Sequence, residues 1–364
     1  MSRVVRRRSG MEVFSATAIQ ISGTRTPSRS RTTMDCFTRE SSPRTFCEIK
    51  MGLRLLRGGW FCWYPAHALM KSNSVEVVVP ASTSNLGSGF DTLGIALKLY
   101  NRITVTQRKQ KGLNLVSTLP DAEWPRATRI LYEAYRLFFD RIRAAAFGVD
   151  VSIQADIPPE RGLGASATLR LGVLAALNQL TRSKLERADL ADMAAELEGH
   201  PDNAAPAAFG GFTAAGKVGK AVRCIRFDIP SKASFVTLVP KEGVSTDSAR
   251  ELVPHTFGKL DAIHGLNRSA LITAAFASGD LTLLSGLFDD RIHQPHRQPL
   301  IPQLSEVIRA GEKAGAVGGW LSGAGSGIIC LTLQKPEAVA KAMKRKLSDS
   351  QVLVLKADTE GYRF

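Results

Sequence analysis

The feature that most constrains this chain is a change of hydrophobic period between Val149 and Leu180. Residues 149–157 (VDVSIQADI) alternate apolar and polar side chains, the period of a half-buried strand. Pro158-Pro159-Glu160-Arg161-Gly162-Leu163-Gly164-Ala165-Ser166-Ala167-Thr168 follows, and then Leu169 to Leu180 (LRLGVLAALNQL), apolar at nearly every inward position of a buried helix. A strand that passes through glycines and small residues into a helix builds a cradle for an anion. The glycines let the backbone approach, and the free N–H groups at the helix start point at the ligand with the helix dipole behind them. Taken alone, the same residues also suit a tight connection whose glycines only relieve crowding. Two familiar phosphate loops are excluded: there is no G-x-x-x-x-G-K-[ST], and no G-x-G-x-x-G follows a strand.

Two further glycine-bearing turns lie on either side. Residues 75–106 read as alternating strands flanking Ser82-Thr83-Ser84-Asn85-Leu86-Gly87-Ser88-Gly89-Phe90-Asp91. These are turn residues, and their density of donors and acceptors also suits a polar ligand. Near the other end, Gly318 to Leu331 (GGWLSGAGSGIICL) reads as strand, glycine loop, strand. A dinucleotide fingerprint would open a helix there, so that reading fails, and a hairpin is the plain alternative.

Together the three turns resemble the motifs of the GHMP kinases, in the expected order. Pro158 to Ala167 is similar to the P-x-x-x-G-L-G-[SA]-S-A segment that binds ATP phosphates in that family. The resemblance implies nucleotide contacts along Pro158, Pro159, Glu160, Arg161, Gly162, Leu163, Gly164, Ala165, Ser166, Ala167 and Thr168. It implies a closing loop at Gly323, Ala324, Gly325 and Ser326. One departure stands out: the family usually carries a Ser pair after G-L-G and the first often ligates Mg²⁺, but here that place is Ala165. Ser166 keeps a hydroxyl for the cation.

The choice of substrate rests on other residues. Glu186 to Glu198 has helical spacing and stops at Gly199, a good C-cap. The run Glu198-Gly199-His200-Pro201-Asp202-Asn203, continuing to Gly210-Gly211, resembles the homoserine kinase branch of the family. By that resemblance Glu198 is the Mg²⁺ carboxylate, and the catalytic residues Asp202 and Asn203 line the substrate hydroxyl. Asn85 and Asp91 face the substrate, Asp91 suiting an α-ammonium group. Arg250 and Arg297, in segments similar to the same branch, supply planar forks for an α-carboxylate. His293 and His296 have H-x-x-H spacing without an acid or third ligand, so zinc is not expected.

The resemblance covers about Met70 to Phe364. It implies an α+β fold: an N-terminal ribosomal-protein-S5-like domain over 70–229 carrying the first two motifs, and a C-terminal ferredoxin-like domain over 230–364. Helical stretches are expected near 129–139, 265–279, 303–314 and 335–347. The implied activity is transfer of phosphate from ATP, with Mg²⁺, to the hydroxyl of L-homoserine, a step of threonine biosynthesis, by a homodimer in the cytoplasm. A mevalonate- or sugar-type kinase of the same family, or a binding protein that keeps the fold without catalysis, is the alternative.

Composition bears mainly on the first segment. Residues 1–69 hold twelve basic and four acidic side chains, a net +8 of the chain's +15, so the rest is only mildly basic. This stretch is rich in Ser, Thr and Arg and shows no sustained period. It reads as an organelle transit peptide (which would imply a plastid), as a basic nucleic-acid-binding arm, or as sequence upstream of a start at Met70. The remainder lacks the basic-aromatic pattern of a nucleic-acid binder, and no apolar run reaches the ~18 residues of a membrane span. Five cysteines (Cys36, Cys47, Cys62, Cys224 and Cys330) lie at irregular intervals without a C-x-x-C pair, so neither a zinc site nor a disulfide framework is expected.

Overall fold

A computed structural model describes residues 73–116, 120 and 123–364, with the backbone of residues 17–19. The readings of 1–69 otherwise lie outside the described residues. The three residues of β1 (Thr17–Ile19) do form a strand, antiparallel to β7 (Ala221–Phe227), which the lack of any period in that segment did not predict.

The first half of the fold is one mixed sheet covered by helices. Strands β2 (Ser74–Ser84) and β3 (Leu93–Arg108) form a long antiparallel hairpin. Its register shifts between Pro80 and Ala81, where proline has no N–H to give the ladder. The hairpin's connection holds Asn85, Leu86, Gly87 and Asp91 at φ of 73°, 49°, 72° and 54°. Four left-handed residues in so short a turn curl it back on itself, and Asn, Asp and Gly are the types that accept that geometry best. Strand β4 (Leu113–Leu115) runs parallel to β5 (Gly148–Ala155), while β5 and β6 (Phe212–Val218) both pair with β3 and β7 (Ala221–Phe227) extends from β6.

Four helices cover this sheet. Helix α1 (Trp124–Ile142) buries Ala127, Ile130, Leu131, Ala134 and Phe138, an apolar stripe at helical spacing. Helix α2 (Ala165–Thr181) is buried nearly all round, which is why its sequence shows no polar face. Helices α3 (Arg187–Glu198) and α4 (Ala204–Phe209) complete the layer.

After a break between Phe227 and Ser234 the chain builds a second sheet from β8 (Ser234–Pro240), β9 (Gly318–Leu321), β10 (Ile328–Thr332) and β11 (Ser350–Leu355). Its order is β11-β8-β10-β9, all antiparallel. With α8 (Leu304–Lys313) before β9 and α9 (Pro336–Lys346) before β11, this is the split β-α-β of a ferredoxin-like fold. Between β8 and α8 lie α5 (Thr246–Glu251), α6 (Lys259–Ser278) and the single turn α7 (Gln294–Arg297). The helical stretches read from the sequence match α1, α6, α8 and α9, with α1 and α6 starting five or six residues earlier.

A shared apolar core locks the two halves together. Phe212 of β6 stacks on Phe276 of α6 at 4.1 Å, and Trp320 of β9 lies 4.7 Å from Phe288. Burying each such ring contributes about 2 kcal/mol. The indole N–H of Trp320 donates to Thr83 Oγ1 at 3.0 Å, which seats the third glycine turn directly on the first.

Candidate active site

The three glycine-bearing turns meet at one place. Ser322 donates to the carbonyl of Gly162 at 2.7 Å and shares a second hydrogen bond with the Thr83 hydroxyl at 2.8 Å, so a single hydroxyl ties the third turn to the other two. The backbone N–H of Ser82 donates to Leu163 O, and that of Gly327 to Arg161 O. The packing leaves no room for side chains: a Cβ on Gly162 would lie 1.7 Å from Ser322 O, and one on Gly164 2.1 Å from Ser82 Oγ. Both glycines also sit at positive φ, 68° and 70°.

Between the turns opens a cleft of about 510 Å³. One end is apolar, walled by Ala127, Ile130, Ile153, Ile157 and Leu169. The middle is the loop Pro158–Ser166 running into α2. No side chain caps the start of α2 and its first turn holds no acid, so its free N–H groups are left for an anion. Glu160, left-handed at φ 56°, pairs with Arg126 of α1 across the mouth. Arg161 turns away from the cleft floor and donates to Pro159 O and Pro240 O, pinning the loop to the second sheet.

The far end is polar and charged. Asp91 takes both nitrogens of Arg250, at 2.9 and 2.8 Å, a bidentate pair spanning 159 residues of sequence. That contact holds the guanidinium pKa above its usual value. Asn85 Oδ1 accepts from the Asp91 N–H, and Asn85 Nδ2 donates to Gly323 O at 3.0 Å. Arg297, only 2% exposed, donates to the same Gly323 carbonyl and to Ala249 O, both at 3.0 Å. Burial and then the neighbouring Arg250 lower its pKa to about 10, so it remains charged at neutral pH. Both guanidinium groups lie over the ring of Phe90, at 5.5 and 5.2 Å. His293 is fully buried, its Nδ1 accepting from Arg297 Nη1 and its Nε2 donating to Gly87 O. Burial drives its pKa down to about 4, so it serves as a neutral bracket for Arg297 rather than as a ligand or acid.

At the floor, Ser82 donates to Asn203 Oδ1 at 2.8 Å, and Asn203 Nδ2 donates to Ser84 Oγ and Asp202 Oδ1. Asp202 also pairs with the ring Nδ1 of His200. Burial alone would disfavour both charges, but the pairing prevails: His200 rises to about 9 and Asp202 stays below the usual carboxylate range. Ligand atoms of Asp91, His200 and Asp202 all lie within 4.8 Å of one another. Beside the start of α2, Ser166 donates to Glu198 Oε2 at 3.0 Å, while the other Glu198 oxygen is held by Arg170.

Asn85, Asp91, Glu198, Asp202, Asn203, Arg250 and Arg297 thus line one cleft with Pro158–Ser166 and Gly323, Ala324 and Gly325. Ala167, Thr168 and Ser326 do not line it. Ala167 packs in the core, Thr168 exchanges hydrogen bonds with Asn101 and Ala165, and Ser326 donates to Glu242 O. Several residues that line the cleft had no role in the sequence reading, among them Ser84 at the end of β2, Asn101 of β3, Arg126 of α1, His200 and Thr246 at the start of α5. Behind the lining, Arg170, a charge inside an otherwise apolar helix, was a visible anomaly.

The GHMP kinases N terminal domain matches residues 129–211, and the GHMP kinases C terminal domain matches residues 272–349. A homoserine kinase of Caldicellulosiruptor bescii is 35% identical over 294 residues, 79% of this chain and 95% of that protein. One from Crocosphaera subtropica is 35% identical over 300 residues, 79% of this chain and 97% of that protein. Among solved structures, homoserine kinase from Cytophaga hutchinsonii superposes with a TM-score of 0.72 at 26% identity, covering 80% of this chain and 97% of the other. The mevalonate kinase of Methanococcus jannaschii superposes at 0.57 and 15% identity over 78% of this chain and 98% of its own, a likeness of fold alone.

Proposed function

The chain belongs to the GHMP kinases, on their homoserine kinase branch, and on that premise we propose how its cleft moves the terminal phosphoryl group of ATP onto the side-chain hydroxyl of homoserine. The observation that carries the proposal is the Gly323 carbonyl. It accepts from both Asn85 and Arg297, so the turn that closes over the phosphates is bonded to both ends of a clamp for a zwitterion.

ATP lies with its base in the apolar end and its phosphates on Gly162–Ser166 and the start of α2, where backbone N–H groups and the helix dipole stabilise negative charge. Glu198 and Ser166 are the residues that would hold Mg²⁺. A carboxylate and a hydroxyl oxygen side by side, with room for phosphate oxygens and waters, fit a hard cation, and Ala165 offers it nothing. Bound there, the ion neutralises charge on the transferring phosphate.

Homoserine exchanges partners with the Asp91–Arg250 pair: its ammonium takes Asp91 and Asn85, its carboxylate takes Arg250 and Arg297. The pair is partly exposed, so opening it costs at most about 1 kcal/mol. The substrate hydroxyl then falls beside Asp202 and Asn203. Asp202 is kept ionised by His200 and accepts the hydroxyl proton as the bond to phosphorus forms. Because phosphoryl transfer has a loose transition state, a weak base suffices and positioning does most of the work. ATP turnover by the full chain, measured with homoserine, mevalonate and galactose in turn, tests the reading; turnover with either rival but not with homoserine refutes it. The family resemblance further suggests a homodimer in the cytoplasm. Leu260 and Leu266, exposed on α6, offer apolar surface for the dimer, and sedimentation checks it.

A further inference from the structure

Arg170 lies on α2, one turn beyond Ser166, with only 11% of its side chain exposed. One nitrogen, Nη1, holds Glu198 Oε1; the other, Nη2, donates to Glu133 Oε2 of α1 at 3.0 Å; Nε has no partner. Glu198 Oε2 faces Ser166. A buried carboxylate whose charge is already matched by a buried guanidinium is a poor ligand for a free cation, because the ion meets a neutral pair instead of an anion. The protein's own donor set is also short, since Ala165 adds no side-chain oxygen and its carbonyl is taken by Thr168. What the guanidinium leaves intact is orientation: it fixes one carboxylate oxygen and presents the other toward the phosphate loop, the usual task of a group behind a metal ligand.

We propose that Arg170 makes divalent-cation binding conditional on nucleotide: its charge cancels that of Glu198 in the empty cleft, so the cation is held only when phosphate oxygens arrive with it. Arg170 is a positioning residue here, and the inference rests on the reading that Glu198 and Ser166 hold the metal. A purely structural Arg170, tying α2 to α1 and α3, would cost stability when removed and would leave affinity for the bare ion unchanged or weaker.

The test is Mn²⁺ binding to the full chain, followed by electron paramagnetic resonance, with and without ADP. Wild type should bind Mn²⁺ far more weakly alone than with ADP. Arg170→Met, which keeps length and apolar bulk, should tighten Mn²⁺ binding in the absence of nucleotide about tenfold or more, as removal of a nearby like charge predicts. Adding Glu198→Gln to that variant should abolish the gain. Binding of Mn²⁺ alone no tighter in Arg170→Met than in wild type overturns the proposal, as does wild-type binding that ADP does not improve. Should Arg170→Met fail to fold, Glu133→Gln serves. It leaves the guanidinium with Glu198 as its one anionic partner and should weaken Mn²⁺ binding in the presence of ADP severalfold; unchanged or tighter binding there refutes the idea. Glu198→Gln alone separates the two levels. If it leaves Mn²⁺–ADP binding untouched, the metal-site reading itself is wrong; if it weakens binding while Arg170→Met changes nothing, only the role of Arg170 falls.

Discussion

Replacing His200 by Gln removes the cation hydrogen-bonded to Asp202 at the cleft floor, and the effect should depend on pH in a direction the structure fixes. The imidazolium is raised from 6.5 to about 9: burial works against the charge, but the Asp202 carboxylate and its hydrogen bond outweigh it. A raised value means the pair stabilises the fold fully below the unfolded value of 6.5, and that this stabilisation is lost as pH climbs through about 9. At about 1.4 kcal/mol per unit, the pH-dependent part is on the order of 3 kcal/mol. Asp202, held low, sets the opposite edge: its contribution persists at neutral pH and fades only as acid protonates it. Urea unfolding of wild type and His200→Gln, compared from about pH 6 to 9.5, reads the difference directly, with titrations common to both proteins cancelling. The stability gap should be widest at the acid end and close by roughly that amount toward the alkaline end. A gap that stays constant across the range would refute the ion pair as described.

Three further outcomes follow from the same geometry. Arg297→Ala should raise KM for homoserine about ten- to a hundredfold, the worth of a charged hydrogen bond, with ATP affinity retained; an unchanged KM removes Arg297 from the carboxylate clamp. Gly164→Ala should lose most ATP binding in a titration with a fluorescent nucleotide, because its Cβ would meet Ser82 Oγ at 2.1 Å on a backbone with φ of 70°. Wild-type affinity there would mean the loop does not carry the phosphates. Asp202→Asn should lower kcat without abolishing it, since positioning remains when a weak base is lost; kcat/KM equal to wild type would exclude Asp202 from both binding and transfer.

Much of this site was legible in the sequence because its parts are local. The change of period around Gly162 and Gly164, and the left-handed types Asn85, Gly87 and Asp91, are dictated by backbone sterics within a few residues, and those do not depend on the rest of the fold. The ferredoxin-like second sheet was implied by the family resemblance, and its strand order emerges only in the fold. What could not be read are the pairings made across the fold. Asp91 and Arg250 stand 159 residues apart, and nothing near either predicts that they meet. The resemblance singles out Glu198, but its pairing with Arg170 of α2 appears only when the helices pack. Thr168 and Ser326 belong to their motifs by spacing, yet Thr168 bonds within α2 and to Asn101, and Ser326 donates to Glu242 O, so neither lines the cleft. Thr17–Ile19 forms a strand by pairing with β7, a tertiary contact that no local period records.

Selectivity among close analogues probes the clamp and the cradle at once. The full chain should convert ATP to ADP with L-homoserine, and kcat/KM should fall at least a hundredfold, about 3 kcal/mol, for an aminopropanol lacking the α-carboxylate and for a hydroxybutyrate lacking the α-ammonium. Equal rates with either analogue, or turnover with mevalonate or galactose at the level of homoserine, would contradict the account.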